Sequence, residues 1–235
     1  MPLPPCKLFI PLTAMAFSAM AAEHGDIYLP EGTDDDTARQ VVQEAMPEPP
    51  EGWELTCNTL PKRCRTLAEA KLHAKAIEAG VHHLPCLVLA DDSGPYAVLP
   101  LHDLREQDIA KARELGTAPD RHAKHMQRLF NSHVYQLCAR TALCEQTDEK
   151  EMAAAINECR AVMDSDFCSP EQRQFLGLYC LYPLLMRQYA GAHNGAHSPY
   201  TEAKLLEAIA ALEAARDMNP ESPIGKKAYD ERERL

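Results

Sequence analysis

The segment from Gly80 to Tyr96, GVHHLPCLVLADDSGPY, most constrains the fold of this chain. Gly80 stands where a helix ends, because glycine enters the left-handed conformation of a C-cap without a Cβ penalty. Pro85 then opens the apolar run Cys86-Leu87-Val88-Leu89-Ala90. A proline at the first residue of a strand removes no ladder donor. An unbroken apolar run of this length suits a strand covered on both faces. Asp92-Ser93-Gly94 is a turn, and Tyr96-Ala97-Val98-Leu99 reads as a returning strand.

The preceding residues place helices and strands in alternation. Residues 26–30 form a strand candidate. Thr33-Asp34-Asp35-Asp36 follows, supplying N-caps and first-turn acids. Ala38, Val41, Val42 and Ala45 recur at helical spacing until Pro47-Glu48-Pro49-Pro50-Glu51-Gly52 breaks the helix. Residues 53–57 alternate apolar and polar, as a strand does. Thr66 and Glu69 have capping-box spacing, and Leu67, Ala70, Ala74, Ile77 and Val81 make one apolar face. Residues 105–115 form a further helix, closed by Gly116. The order is strand, helix, strand, helix, strand, strand, helix. It predicts an α/β unit, with a mixed sheet and helices on both faces.

The order, and above all the segment from Gly80 to Gly94, resembles the thioredoxin-like family over residues 26–116. The resemblance implies a cis Leu84–Pro85 bond, with Leu84 and Pro85 shaping a substrate groove. It also places a redox Cys-x-x-Cys after the first strand, at a helix N-terminus that lowers a thiol pKa. This chain has Pro30-Glu31-Gly32-Thr33-Asp34 there, without a nucleophile, and contains no Cys-x-x-Cys. Cys57 and Cys64 are the alternative thiols. Lys62, Arg63 and Arg65 flank Cys64 and favour its thiolate. The two cysteines are read either as a displaced redox pair or, preferentially, as a structural disulfide pinning a loop.

After Gly116 no strand-like run remains. Helices are predicted near 120–144, 148–166, 170–190 and 201–218, with a shorter polar one at the end. Residues 155–170 and 208–223 repeat at an offset of 53, with six of sixteen positions identical. Each copy ends in Ser-Pro, with proline at a helical first turn. The pattern resembles tetratricopeptide-like helix pairs, whose usual period of about 34 is stretched here. A generic stack of antiparallel helix hairpins accounts for it equally. The expected organisation is a leader at 1–21, a degenerate thioredoxin-like domain at 22–116 and an all-α domain at 117–235.

The leader reads as a secretory signal, with Lys7, an apolar run over 8–20 and a small-x-small site at Ala19-Met20-Ala21. Its removal implies an exported protein, periplasmic or secreted. It also leaves eight cysteines, an even number that favours disulfides in an oxidising compartment. One bridge is expected between Cys138 and Cys159 on consecutive helices. Cys144, Cys168 and Cys180 are then available, one of them to pair with Cys86 or to stay free.

The formal net charge is −11, and loss of Lys7 makes it one unit more negative. Nucleic acid and anionic membrane are disfavoured as partners. No segment after the leader is long and apolar enough to span a bilayer. His122, His125 and His133 share a helical sector, and His193 and His197 flank a glycine-containing loop. Neither set brings an acid or cysteine at ligand spacing, so no metal and no cofactor are expected. The expected function is non-catalytic binding of a protein or peptide. It would use the concave helical surface, the groove beside Leu84 and Pro85, or both. The alternative is thiol–disulfide exchange through Cys57 and Cys64.

Overall fold

The computed structural model describes residues 23–143, 149–192 and 198–235. The leader, Cys144, His193 and His197 lie outside the described residues. Four strands, β1 (His24–Pro30), β2 (Glu54–Leu60), β3 (Cys86–Asp91) and β4 (Gly94–Pro100), form one sheet in the order β2-β1-β3-β4. β1 and β2 run parallel, whereas β3 is antiparallel to both β1 and β4. A parallel pair needs a crossover, and α1 (Asp35–Ala45) supplies it. α2 (Leu67–Ala79) precedes β3, and α3 (Glu106–Leu115) follows β4.

Strand periodicity divides the core. Ile27, Leu29, Leu87 and Leu89 face Ala38, Val42 and Ala45 of α1 and Ile109 and Ala112 of α3. Tyr28, Leu60, Cys86 and Val88 face the other way, onto Ala76 and Ala79 of α2. β3 is therefore buried on both sides, as its continuous apolar run requires. Each fully buried Ile or Leu side chain contributes about 1.5–3 kcal/mol relative to exposure. The arrangement is a mixed sheet with helices on both faces, compatible with a thioredoxin-like fold. The Leu84–Pro85 bond is cis.

Local signals match local geometry. Thr66 and Glu69 close a full capping box, and Gly80 ends α2 in the left-handed conformation at φ 82°. Leu67 departs from its expected place. It is 41% exposed, because α2 meets the sheet through Leu72, Ala76 and Ala79 rather than through the Leu67 side of the helix.

α4 (Arg121–Leu143) packs along α2 and couples the sheet to the helical part. Arg121 makes a two-pronged ion pair with Asp91, at 2.8 and 2.5 Å, and also donates to the carbonyls of Gly94 and Gly116. Arg128 donates to the Ala79 carbonyl at the end of α2. The chain continues through α5 (Glu149–Met163), α6 (Pro170–Leu176), a π-helical turn (Gly177–Leu181), α7 (Tyr182–Ala192), α8 (Pro199–Met218) and α9 (Pro223–Glu233).

Three of these helices begin alike. Ser169, Ser198 and Ser222 cap α6, α8 and α9, each with proline in the first turn. The Ser198 cap starts α8 two residues before the expected 201. The helix expected over 170–190 is interrupted by the π turn, which packs against α8. An added Cβ on Gly177 would lie 3.1 Å from the Ala215 Cβ. Buried Gln174 joins three elements. It donates to the Ala215 and Asn219 carbonyls and accepts from the Ser222 hydroxyl. Among the described residues, no helix is long and apolar enough to cross a membrane.

Candidate functional site

Three places bear on function. The first is the end of the sheet where β1 meets α1. Asp34 caps α1, accepting from the Thr37 hydroxyl at 2.7 Å and from the amides of Thr37 and Asp36. The Thr37 hydroxyl, followed by these amides, holds the Asp34 carboxyl below its usual range. The helix N-terminus that would stabilise a thiolate in a redox member is thus served by the chain's own carboxylate. Pro85 directly precedes Cys86, whose partner is Tyr28, and so lies beside the end of β1. Its carbonyl accepts from the Leu101 amide at 3.2 Å, while Leu84 is 38% exposed next to it.

The second place is the pair Cys57 and Cys64. Cys57 points from β2 into the core shared by α1 and α3. Burial raises its pKa, outweighing the opposing influence of Arg39. Cys64 instead contacts the Tyr135 hydroxyl of α4 at 3.2 Å, on the side of the sheet that α2 covers. Burial first, then the contact with Cys64, pushes Tyr135 up to about 12. The ring of His73 stacks on Tyr135, and its Nε2 lies 2.8 Å from the Pro61 carbonyl. The two cysteines are free and serve different faces of the sheet, so the expected loop-pinning bridge is not formed. Residue spacing along the loop carries no information about which side of the sheet each thiol takes.

The third place is a groove where the sheet unit meets the helices. One hollow of about 340 Å³ lies between α4, α5 and α7, with Ala154 and Ala155 above the buried Leu137, Met152 and Leu184 as its apolar lining, and Arg187 beside them. Another of about 360 Å³ lies between α2 and α4, lined by Leu67, Ala70, Lys71, His133 and Gln136. Arg140 and Glu158 line both hollows. The Arg140 guanidinium meets Glu158 at 2.5 Å, and His133 Nε2 lies 3.3 Å from the other Glu158 oxygen. These side chains are 30–48% exposed, a setting in which an ion pair contributes about 1 kcal/mol or less. A ligand carboxylate can therefore take the place of Glu158 on Arg140 at small cost. Arg187 is oriented by donating to the Thr141 carbonyl at 2.7 Å.

The groove residues carry little sequence signal. His133, Gln136 and Arg140 share a stripe at spacings of three and four, and the exposed Leu67 departs from the expected apolar face. The histidine set separates: His125 packs beside Gly94, whereas His133 turns to Glu158. Among the described residues, no three His, Cys, Asp or Glu side chains converge as a metal site would need. The seven described cysteines are free, and Cys138 lies against Cys180 rather than in the expected bridge to Cys159. No protein-family model, curated protein or solved structure matches this chain.

Proposed function

We propose that this chain is an exported, non-catalytic binding protein, in which a thioredoxin-like unit and tetratricopeptide-like helices together hold an acidic peptide. The observation that carries this reading is the groove of two hollows meeting at Arg140 and Glu158. An extended segment would lay one apolar side chain against Ala154 and Ala155 over the buried Met152, and one carboxylate on Arg140. Among the described residues that line the groove, the cations Lys71 and Arg140 stand level with the acids Glu151 and Glu158, in a chain of net charge −11. That local relief from the chain's negative charge favours an acidic ligand.

Strand order, strand sense and helices on both faces support the thioredoxin-like part of the reading. The Asp34 cap at the family's redox position supports a role without thiol chemistry. Selection from a random peptide library, followed by fluorescence anisotropy, tests the proposal. Arg140→Ala should weaken the best peptide about fivefold, the ratio that about 1 kcal/mol gives. Leu84→Ser, outside the lining of both hollows, should leave affinity unchanged. The opposite pattern would move the site to the groove beside Leu84 and Pro85.

A further inference from the structure

We propose that Cys138 and Cys180 form an intramolecular disulfide, with Cys138 as the entry thiol and Cys180 as the resolving thiol. The two Sγ atoms lie 3.1 Å apart, closer than sulfurs in ordinary non-bonded contact. Cys138 lies on α4 and is half-buried, whereas Cys180 sits in the π-helical turn with no exposed surface. The pair is thus asymmetric, with one residue partly exposed and the other fully covered. Single π turns inside α-helices occur frequently at functional sites.

The electrostatics agree with this division of roles. Cys180 donates its S–H to Cys138, and that hydrogen bond holds the Cys138 thiol below its usual range. The same bond, followed by burial, pushes Cys180 up. The outer thiol therefore ionises first, as the attacking sulfur of an exchange reaction must.

The oxidant is a low-molecular-weight disulfide. The Cys138 thiolate attacks one of its sulfurs, forming a mixed disulfide and releasing one small thiolate. Cys180, giving up its proton, then attacks the Cys138 sulfur and releases the second small thiolate. The two protein thiols are oxidised, and the oxidant is reduced to two thiols that carry away both protons. The product ties α4, which docks on the sheet unit, to the π turn in the helical core. Leu137, Arg140 and Thr141 flank Cys138 and line the groove, so the bond would also fix one groove wall. The inference does not depend on peptide binding.

Tryptic mapping of the full chain tests it. Cys138, Cys159, Cys168 and Cys180 fall in the separate peptides 129–140, 151–160, 161–173 and 174–187. The reduced protein is exposed to oxidised glutathione, alkylated and digested without reduction. The expected product links 129–140 to 174–187, with both thiols lost together from alkylation. Oxidation should raise the thermal midpoint by about 10 °C, as closure of a loop of this length implies. The shift should appear in wild type and Cys159→Ser and vanish in Cys180→Ser. If Cys180→Ser does not fold, the wild-type and Cys159→Ser maps decide. Linkage of 129–140 to 151–160, or full alkylation of Cys138 and Cys180 after oxidation, overturns the proposal.

Discussion

Replacing Arg121 by alanine should detach α4 from the sheet unit more than any other single change at this junction. Arg121 and Asp91 side chains are 14% and 20% exposed, and Arg121 also serves two backbone carbonyls. A fully exposed pair would be worth about 0–1 kcal/mol. Breaking a fully buried one costs about 3–5 kcal/mol, since it strands the partner charge. The observed burial lies near the buried limit, so a loss of about 3 kcal/mol is expected. Urea unfolding can be followed by circular dichroism and by Trp53, the single tryptophan, which packs on the sheet core.

The effect should depend on pH with a defined sign. The hydrogen bond from Arg121 is the main reason the Asp91 carboxyl titrates below its usual range. A depressed carboxyl stabilises the fold above the unfolded-state value of about 3.9, and this contribution fades as pH falls toward the folded-state value. The gap between wild type and Arg121→Ala should therefore be full above about pH 5 and narrow steadily below pH 4. A loss under about 1 kcal/mol at neutral pH, or a gap that widens in acid, would refute the reasoning.

Gln174→Leu should cost about 1–3 kcal/mol in urea unfolding, because it removes the buried side-chain donor to the Ala215 carbonyl, whereas the Asn219 carbonyl keeps the Ser222 amide. A loss below about 0.5 kcal/mol would show that water replaces the amide. Disulfide reduction provides a separate check: the wild-type chain should not reduce insulin or glutathione disulfides in a manner that Cys64→Ser abolishes. Measurable Cys64-dependent turnover would restore the oxidoreductase reading.

Much of the sheet unit is legible in the sequence because its signals are local. The continuous apolar β3, the Thr66–Glu69 box and the Gly80 cap each arise within a few residues. The Ser-Pro starts of α6 and α9 are of the same kind. What escaped is set by long-range packing. Leu67 is exposed because Leu72, Ala76 and Ala79, on the opposite side of the helix, form the contact of α2 with the sheet. Cys138 meets Cys180 because α4 touches the π turn as well as α5, a neighbour that hairpin spacing does not report. The groove draws Lys71 from α2, Arg140 from α4, Glu158 from α5 and Arg187 from α7. No motif spans four helices, so only tertiary structure assembles it.

Amide hydrogen exchange on the full chain, with and without the best selected acidic peptide, tests the central claim most directly. The account predicts added protection along the facing segments of α2, α4, α5 and α7, and little change at residues 30–34 and 84–86. Protection confined to the sheet end near Leu84 and Pro85, with the groove helices unchanged, would contradict it.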